Sequence, residues 1–96
     1  MRNDMTTAET SFNRDALQSF LSTFSKKIIA GIHSVSFEVC KNENNRFGIV
    51  VSVDGQPVKT ICQSSKPMMV RELFNKRKLS LLGELERTLL VPVSLK

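Results

Sequence analysis

The side chains best able to do chemistry in this chain are Cys40, Cys62, the single histidine His33, and a run of cations between Lys66 and Lys78. A thiol within hydrogen-bond reach of an imidazole forms a nucleophile with its base. The spacing argues against that use here. Cys62 falls on the inward face of an expected strand, where a thiol behaves as a small, inert hydrophobe. Cys40 ends another expected strand and His33 sits in a turn. Glu84 and Glu86 are two apart on an expected helix and face different ways, so they do not form an acid/base pair. Three Cys and His residues without CxxC or HxxxH spacing do not supply the four ligands of a structural zinc site. No GxxxxGK or GxGxxG loop is present to cradle a phosphate. The chain reads as a non-enzyme with no metal and no cofactor.

Binding chemistry has more to work with. Lys66, Arg71, Lys76, Arg77 and Lys78 place five positive charges within thirteen residues, offset only by Glu72. Lys26 and Lys27 widen that patch if the first helix ends nearby. Such clustering is the electrostatic footprint of a surface that grips phosphates. It predicts a nucleic-acid-binding module with little sequence specificity, because phosphate contacts position a protein without reading bases. The chain has no Trp or Tyr, and its six Phe fall at core or staple positions. Base stacking is therefore unsupported, and a duplex is the better partner than a single strand. The alternative is a small protein-binding adaptor or inhibitor that uses the same cations against an acidic protein surface. It would otherwise use a sheet edge or the carboxy-terminal arm for strand addition, which would also allow a homodimer.

The elements that position these residues follow from periodicity. Leu17, Phe20, Leu21, Phe24 and Ile28 keep the spacing of an amphipathic helix. Asn13 is the expected N-cap, with Phe12 and Leu17 as a hydrophobic staple and Gly31 as the left-handed stop. The period then changes to two. Val35, Phe37 and Val39 mark a strand, and Lys41–Arg46 a polar loop. Phe47, Ile49, Val51 and Val53 mark the next strand, and Asp54-Gly55 a two-residue hairpin turn. Matching the apolar faces pairs Val35 with Val51, Phe37 with Ile49 and Val39 with Phe47. Across the turn, Val51 pairs with Val58, Ile49 with Thr60 and Phe47 with Cys62. Pro57 makes the third strand an edge.

Gln63 to Pro67 opens the second helical region, with a Ser cap and Pro in the first turn. Val70, Leu73, Phe74, Leu81, Leu82, Leu85 and Leu89 keep helical spacing. Asn75-Lys76-Arg77-Lys78 interrupts the stripe, so the helix either breaks there or turns that face to solvent. Met68-Met69 reads as core filling, with a pliable contact pair as the other option. The expected fold is α+β: helix, three-stranded antiparallel meander, then one long or broken helix, with both helices on one face of the sheet. Residues 1–11 are expected as a flexible tail, 12–90 as one domain and 91–96 as an extended arm.

Ninety-six residues with 41% hydrophobic and 24% charged side chains fit one globular domain. The net charge of +5 suits an acidic surface or a nucleic acid. No apolar run approaches the ~20 residues of a membrane span. The amino terminus shows no secretory signal, and two cysteines are too few for a disulfide framework. A cytoplasmic protein with no membrane partner is expected.

The order helix, three strands, helix resembles the double-stranded-RNA-binding domain between about Asn13 and Leu85. The best-matching stretches are Phe37-Glu38-Val39, then Phe47 to Gly55, then Ser65-Lys66. The resemblance implies that the start of the second helix grips phosphates across the major groove, while the first helix and a strand-connecting loop touch minor grooves. The family's paired lysines reduce here to Lys66 before Pro67, and its Gly-Pro-x-His loop is replaced by Asn42-Glu43-Asn44-Asn45. Its Ala-rich second helix is replaced by the bulkier Met68 to Phe74. Lys66 and the layout are what carry over.

Overall fold

The computed structural model describes the backbone of residues 2–96 and the side chains of residues 14–96. Its elements are α1 (Arg2–Ser25), β1 (Ile28–Ile29), β2 (Val35–Lys41), β3 (Phe47–Val53), β4 (Gln56–Ser64), α2 (Pro67–Leu89) and β5 (Ser94–Leu95). The fold is α+β, with the antiparallel meander β2-β3-β4 between the helices as the periodicity predicts. Val35, Phe37, Val39, Phe47, Ile49, Val51 and Cys62 bury one face of the sheet with Leu17, Leu21, Phe24, Val70, Phe74, Leu81 and Leu85 of the helices. Both helices thus lie on the same face.

α1 differs from expectation at both ends. It begins at Arg2, so Asn13 lies inside the helix instead of capping it, and residues 2–11, expected as a tail, carry helical backbone. Nothing between Arg2 and Asn13 is a Gly or Pro that would stop a helix. Met1 and the Phe12 side chain of the expected staple lie outside the described residues. At the other end α1 stops at Ser25, not at Gly31. The Lys27 amide donates to Phe24 O at 3.0 Å, tightening the last turn. Ile28 and Ile29 then pair with Leu95 and Ser94, and the Lys96 amide donates to Lys27 O at 2.8 Å. β-branched side chains favour this extended ladder over one more helical turn. The carboxy-terminal arm therefore docks on its own chain. Gly31 does take φ +63°, but in the turn that leads to β2.

The expected β2–β3 pairing is shifted by two residues. Observed partners are Val35 with Val53, Phe37 with Val51, Val39 with Ile49 and Lys41 with Phe47. A two-residue shift keeps every inward side chain inward, so burial alone does not choose between the registers. Asp54 chooses. Its amide donates to Ser34 O at 2.8 Å, and its Oδ1 accepts the Ser34 amide at 2.8 Å. His33 Nδ1 lies 2.8 Å from the other carboxylate oxygen. Asp54 and Gly55, at φ 52° and 83°, form the expected two-residue turn.

β4 is the expected edge, but two irregularities change its partners: Lys59 faces Val51, Ile61 faces Ile49 and Ser64 faces Phe47. Val58, expected inside, is 51% exposed, while Cys62 reaches the core at φ 56°. One extra residue inverts the in/out alternation and a second irregularity restores it, so the apolar positions of β4 do not reveal the pair in the sequence. α2 runs unbroken through Asn75–Lys78, so that turn faces solvent. Lys66, not a serine, occupies its cap position, with Pro67 in the first turn and no side-chain cap.

The His33 hydrogen bond, followed by the Ser34 amide, holds the Asp54 carboxyl below its ordinary range. A depressed carboxylate contributes stability above its unfolded pKa, near 4, and loses it as pH falls through the lower folded value. Asp54→Asn is expected to melt earlier than the parent at neutral pH. The gap should narrow on acidification below about pH 4. Thermal melts across pH check this, and a gap that is constant with pH would contradict it.

Candidate nucleic-acid interface

The cations singled out in the sequence do not form one patch. On a continuous helix successive residues turn by about 100°, so Lys76, Arg77 and Lys78 fan around α2 rather than sharing a face. Lys76 and Arg77 are exposed and Lys78 is half-buried, its Nζ donating to Asn75 Oδ1 at 3.5 Å. Arg77 points toward β4, where it lines a groove with Lys59 and Glu84. Arg71 lies on the α1 side, its guanidinium 4.5 Å from the Phe20 ring centre. Such stacking fixes the guanidinium plane and leaves its edges free to donate. Lys26 and Lys27 are exposed at the end of α1.

A different set of cations is brought together by the fold. The β2–β3 loop carries Arg46, whose Nη2 donates to Gln63 O at 3.4 Å. Ser64, the next residue of β4, pairs with Phe47, and the Lys66 amide approaches Ser64 Oγ at 3.4 Å. Lys41, also opposite Phe47, sits with its Nζ 5.5 Å from that ring. Lys41, Arg46 and Lys66 therefore share one end of the sheet with the start of α2, and Arg71 follows about one turn later. The first turn of α2 carries no acidic residue, so the helix dipole adds to the positive field. The loop is held by Asn42, whose Oδ1 accepts the Asn44 and Arg46 amides at 2.9 and 3.0 Å. In the sequence Lys41 and Arg46 only flank a polar loop, with nothing to set them beside the second helix. Only the pairing with β4 shows them beside Lys66. Met68 and Met69, expected as core filling, are exposed here, since the inward stripe of α2 runs through Pro67, Val70 and Phe74.

The other chemistry is kept apart. His33 is bound to the hairpin turn, whereas Cys40 pairs with Gly48 at the opposite end of β2. Burial raises the pKa of the Cys62 thiol, with Arg77 partly offsetting it. Among the described residues, no group of three His, Cys, Asp or Glu is placed to hold a metal ion, and no helix is long and apolar enough to cross a membrane.

The free edge of β2 is occupied by a side chain. The Gln18 amide donates to Phe37 O at 3.2 Å and accepts the Val39 amide at 2.7 Å. Those two bonds are what one residue of a neighbouring parallel strand would make, so the carboxamide stands in for a peptide group and blocks strand addition. The arm that the adaptor reading would use is paired with β1.

The chain matches no known protein family, no curated protein and no solved structure. What it shares with the double-stranded-RNA-binding domain is the order of elements, and an architecture does not carry a function with it.

Replacing Gln18 by Ala leaves a part-buried donor and acceptor unpaired, at about 1–3 kcal/mol. The variant is expected to melt earlier and to self-associate more than the parent in sedimentation velocity. A chain of unchanged stability and association state would show that Gln18 does not guard the edge.

Proposed function

We propose that this protein is a non-catalytic nucleic-acid-binding module that holds the phosphate backbone of a duplex with low sequence specificity. The observation that carries this reading is the placing of Lys41, Arg46 and Lys66 at one end of the sheet, from a strand end, a loop and a helix start, with Arg71 about one turn further along α2. Cations fixed on rigid elements grip phosphates at lower entropic cost than a mobile basic tail. Lys76, Lys78, Lys26 and Lys27 lie outside this end and add to the long-range field that attracts a polyanion. A duplex is favoured over a single strand because, among the described residues, Phe24, Phe37, Phe47 and Phe74 are buried and Phe20 is partly covered, leaving no aromatic platform for bases there.

Fluorescence anisotropy over a salt series, with duplex RNA, duplex DNA and single strands, tests this. Four phosphate contacts give a slope of about −4 in log affinity against log salt on duplex DNA. Arg46→Glu with Lys66→Glu is expected to weaken duplex binding by about tenfold or more and to flatten that slope by about two. Circular dichroism should show the same fold. Lys76→Glu on the outer side of α2 should cost far less. No binding of any probe at low salt would contradict the proposal and turn attention to an acidic protein surface as the partner.

A further inference from the structure

The bulge at Val58 has an effect on the α2 side of the sheet. Regular alternation from the hairpin would put Val58 inward and Lys59 outward. Instead Ser52 pairs with Pro57 and Val51 with Lys59, so Val58 is left exposed and Lys59 turns toward α2. Bulges commonly re-aim a side chain in this way, at a local loss of burial. Lys59 there meets Glu84 in an ion pair. The two line a groove of about 270 Å³ with Arg77, Ser80, Ile61 and Leu81.

The groove is unbalanced in charge. Glu84 is its one acid, and Lys59, then Arg87 and Arg77, favour its ionised form. Lys59 and Arg77 against Glu84 leave the groove a net charge of +1, and Arg87 adds to the field from outside its lining. Among the described residues Arg77 makes no ion pair and no hydrogen bond of its own, so its planar fork is unused. Ser80 offers a hydroxyl, and Ile61 with Leu81 forms an apolar floor. The volume suits a group of a few heavy atoms rather than a drug-sized ligand.

We infer that the groove between β4 and α2 is a binding site for a phosphate monoester, its dianion held by Arg77, Lys59 and Ser80 and its ester carbon resting on Ile61 and Leu81. A monoester carries about −1.5 to −2 charge at neutral pH, which the two cations Lys59 and Arg77 match once Lys59 turns from Glu84 to the ligand. An internal phosphodiester has no free end to seat in so small a groove, and fits less well. Glu84 holds Lys59 in place when the site is empty and competes with the ligand for it. The site faces β4, whereas Arg71 faces α1, so it stands whether or not the sheet-end surface binds a duplex.

The test is a nitrogen-15 NMR titration of the full chain at neutral pH and constant ionic strength. The probes are inorganic phosphate, adenosine 5′-monophosphate, and adenosine as the uncharged control. Saturable shifts confined to Lys59, Ile61, Arg77, Ser80, Leu81 and Glu84 are expected with the two phosphates and not with adenosine. Tighter binding of the nucleotide assigns the site to an esterified phosphate, and equal binding assigns it to the free anion. Arg77→Gln should weaken binding by about tenfold or more, the worth of a charge-assisted hydrogen bond. Glu84→Gln should tighten it by about twofold to fivefold, the worth of one exposed ion pair. Shifts that fail to saturate, that spread equally over Lys26, Lys27 and Lys76, or that survive Arg77→Gln would overturn the assignment. So would weaker binding by a folded Glu84→Gln chain.

Discussion

The burial of Phe74 is the interaction on which the rest of this structure depends. Its ring is fully buried and meets Phe24, Phe37 and Phe20 at centroid distances of 5.1, 5.3 and 5.9 Å, each near-perpendicular enough to be edge-to-face. Those partners belong to α1 and β2, so one side chain of α2 ties three elements together. Aromatic pairs in this geometry add about 0.5–1.5 kcal/mol beyond the area they bury. A cavity in place of such a ring costs about 3–5 kcal/mol, a large share of the 5–15 kcal/mol of a typical domain. The same contacts set direction. Phe20 lies under Arg71 and Phe24 against Phe74, so the two helices run the same way across the sheet. The start of α2 is thereby delivered to the end of the sheet where β2 turns into β3.

That placement links packing to the proposed binding surface. Lys66 and Arg71 would be ordinary helix-surface cations if α2 ran the other way. With α2 fixed by Phe74, they lie beside the loop that Asn42 holds rigid and beside Arg46, which is tied to the Gln63 carbonyl. The opposite end of the sheet is closed by the Asp54 contacts to His33 and Ser34, which fix the register and with it the position of Lys41. Both sheet edges are handled locally, β2 by Gln18 and β4 by Pro57 and its bulges. Strand addition is thus disfavoured at both edges, and the proposed duplex surface is built from cationic side chains rather than open backbone.

Much of the fold was legible in the sequence, for physical reasons that also explain the failures. The stripe Leu17, Phe20, Leu21, Phe24 and the alternation in β2 and β3 report burial directly, and those side chains pack as their periods require. The Asp54-Gly55 turn follows from two positions that need positive φ. Register does not follow from an alternating pattern, since slips of two residues bury the same set, and the carboxylate that chooses among them acts across the chain. The bulges at Val58 and Cys62 are equally silent. For the same reason the sequence pointed to Lys76, Arg77 and Lys78 as one cluster, whereas helical rotation separates them and strand pairing assembles Lys41, Arg46 and Lys66. Proximity along a helix is a poor guide to a shared face, and proximity across a sheet is invisible until the register is known.

The most direct measurement is a map of the surface that a duplex touches. Amide shifts of the full chain on adding a short RNA or DNA duplex, at low salt, would locate it residue by residue. The account predicts changes concentrated at Lys41 to Arg46 and Ser64 to Arg71, with Lys26, Lys27 and the outer side of α2 little affected. Changes centred on the β1–β5 ribbon or on the open face of the sheet, with residues 41–46 and 64–71 unmoved, would contradict it.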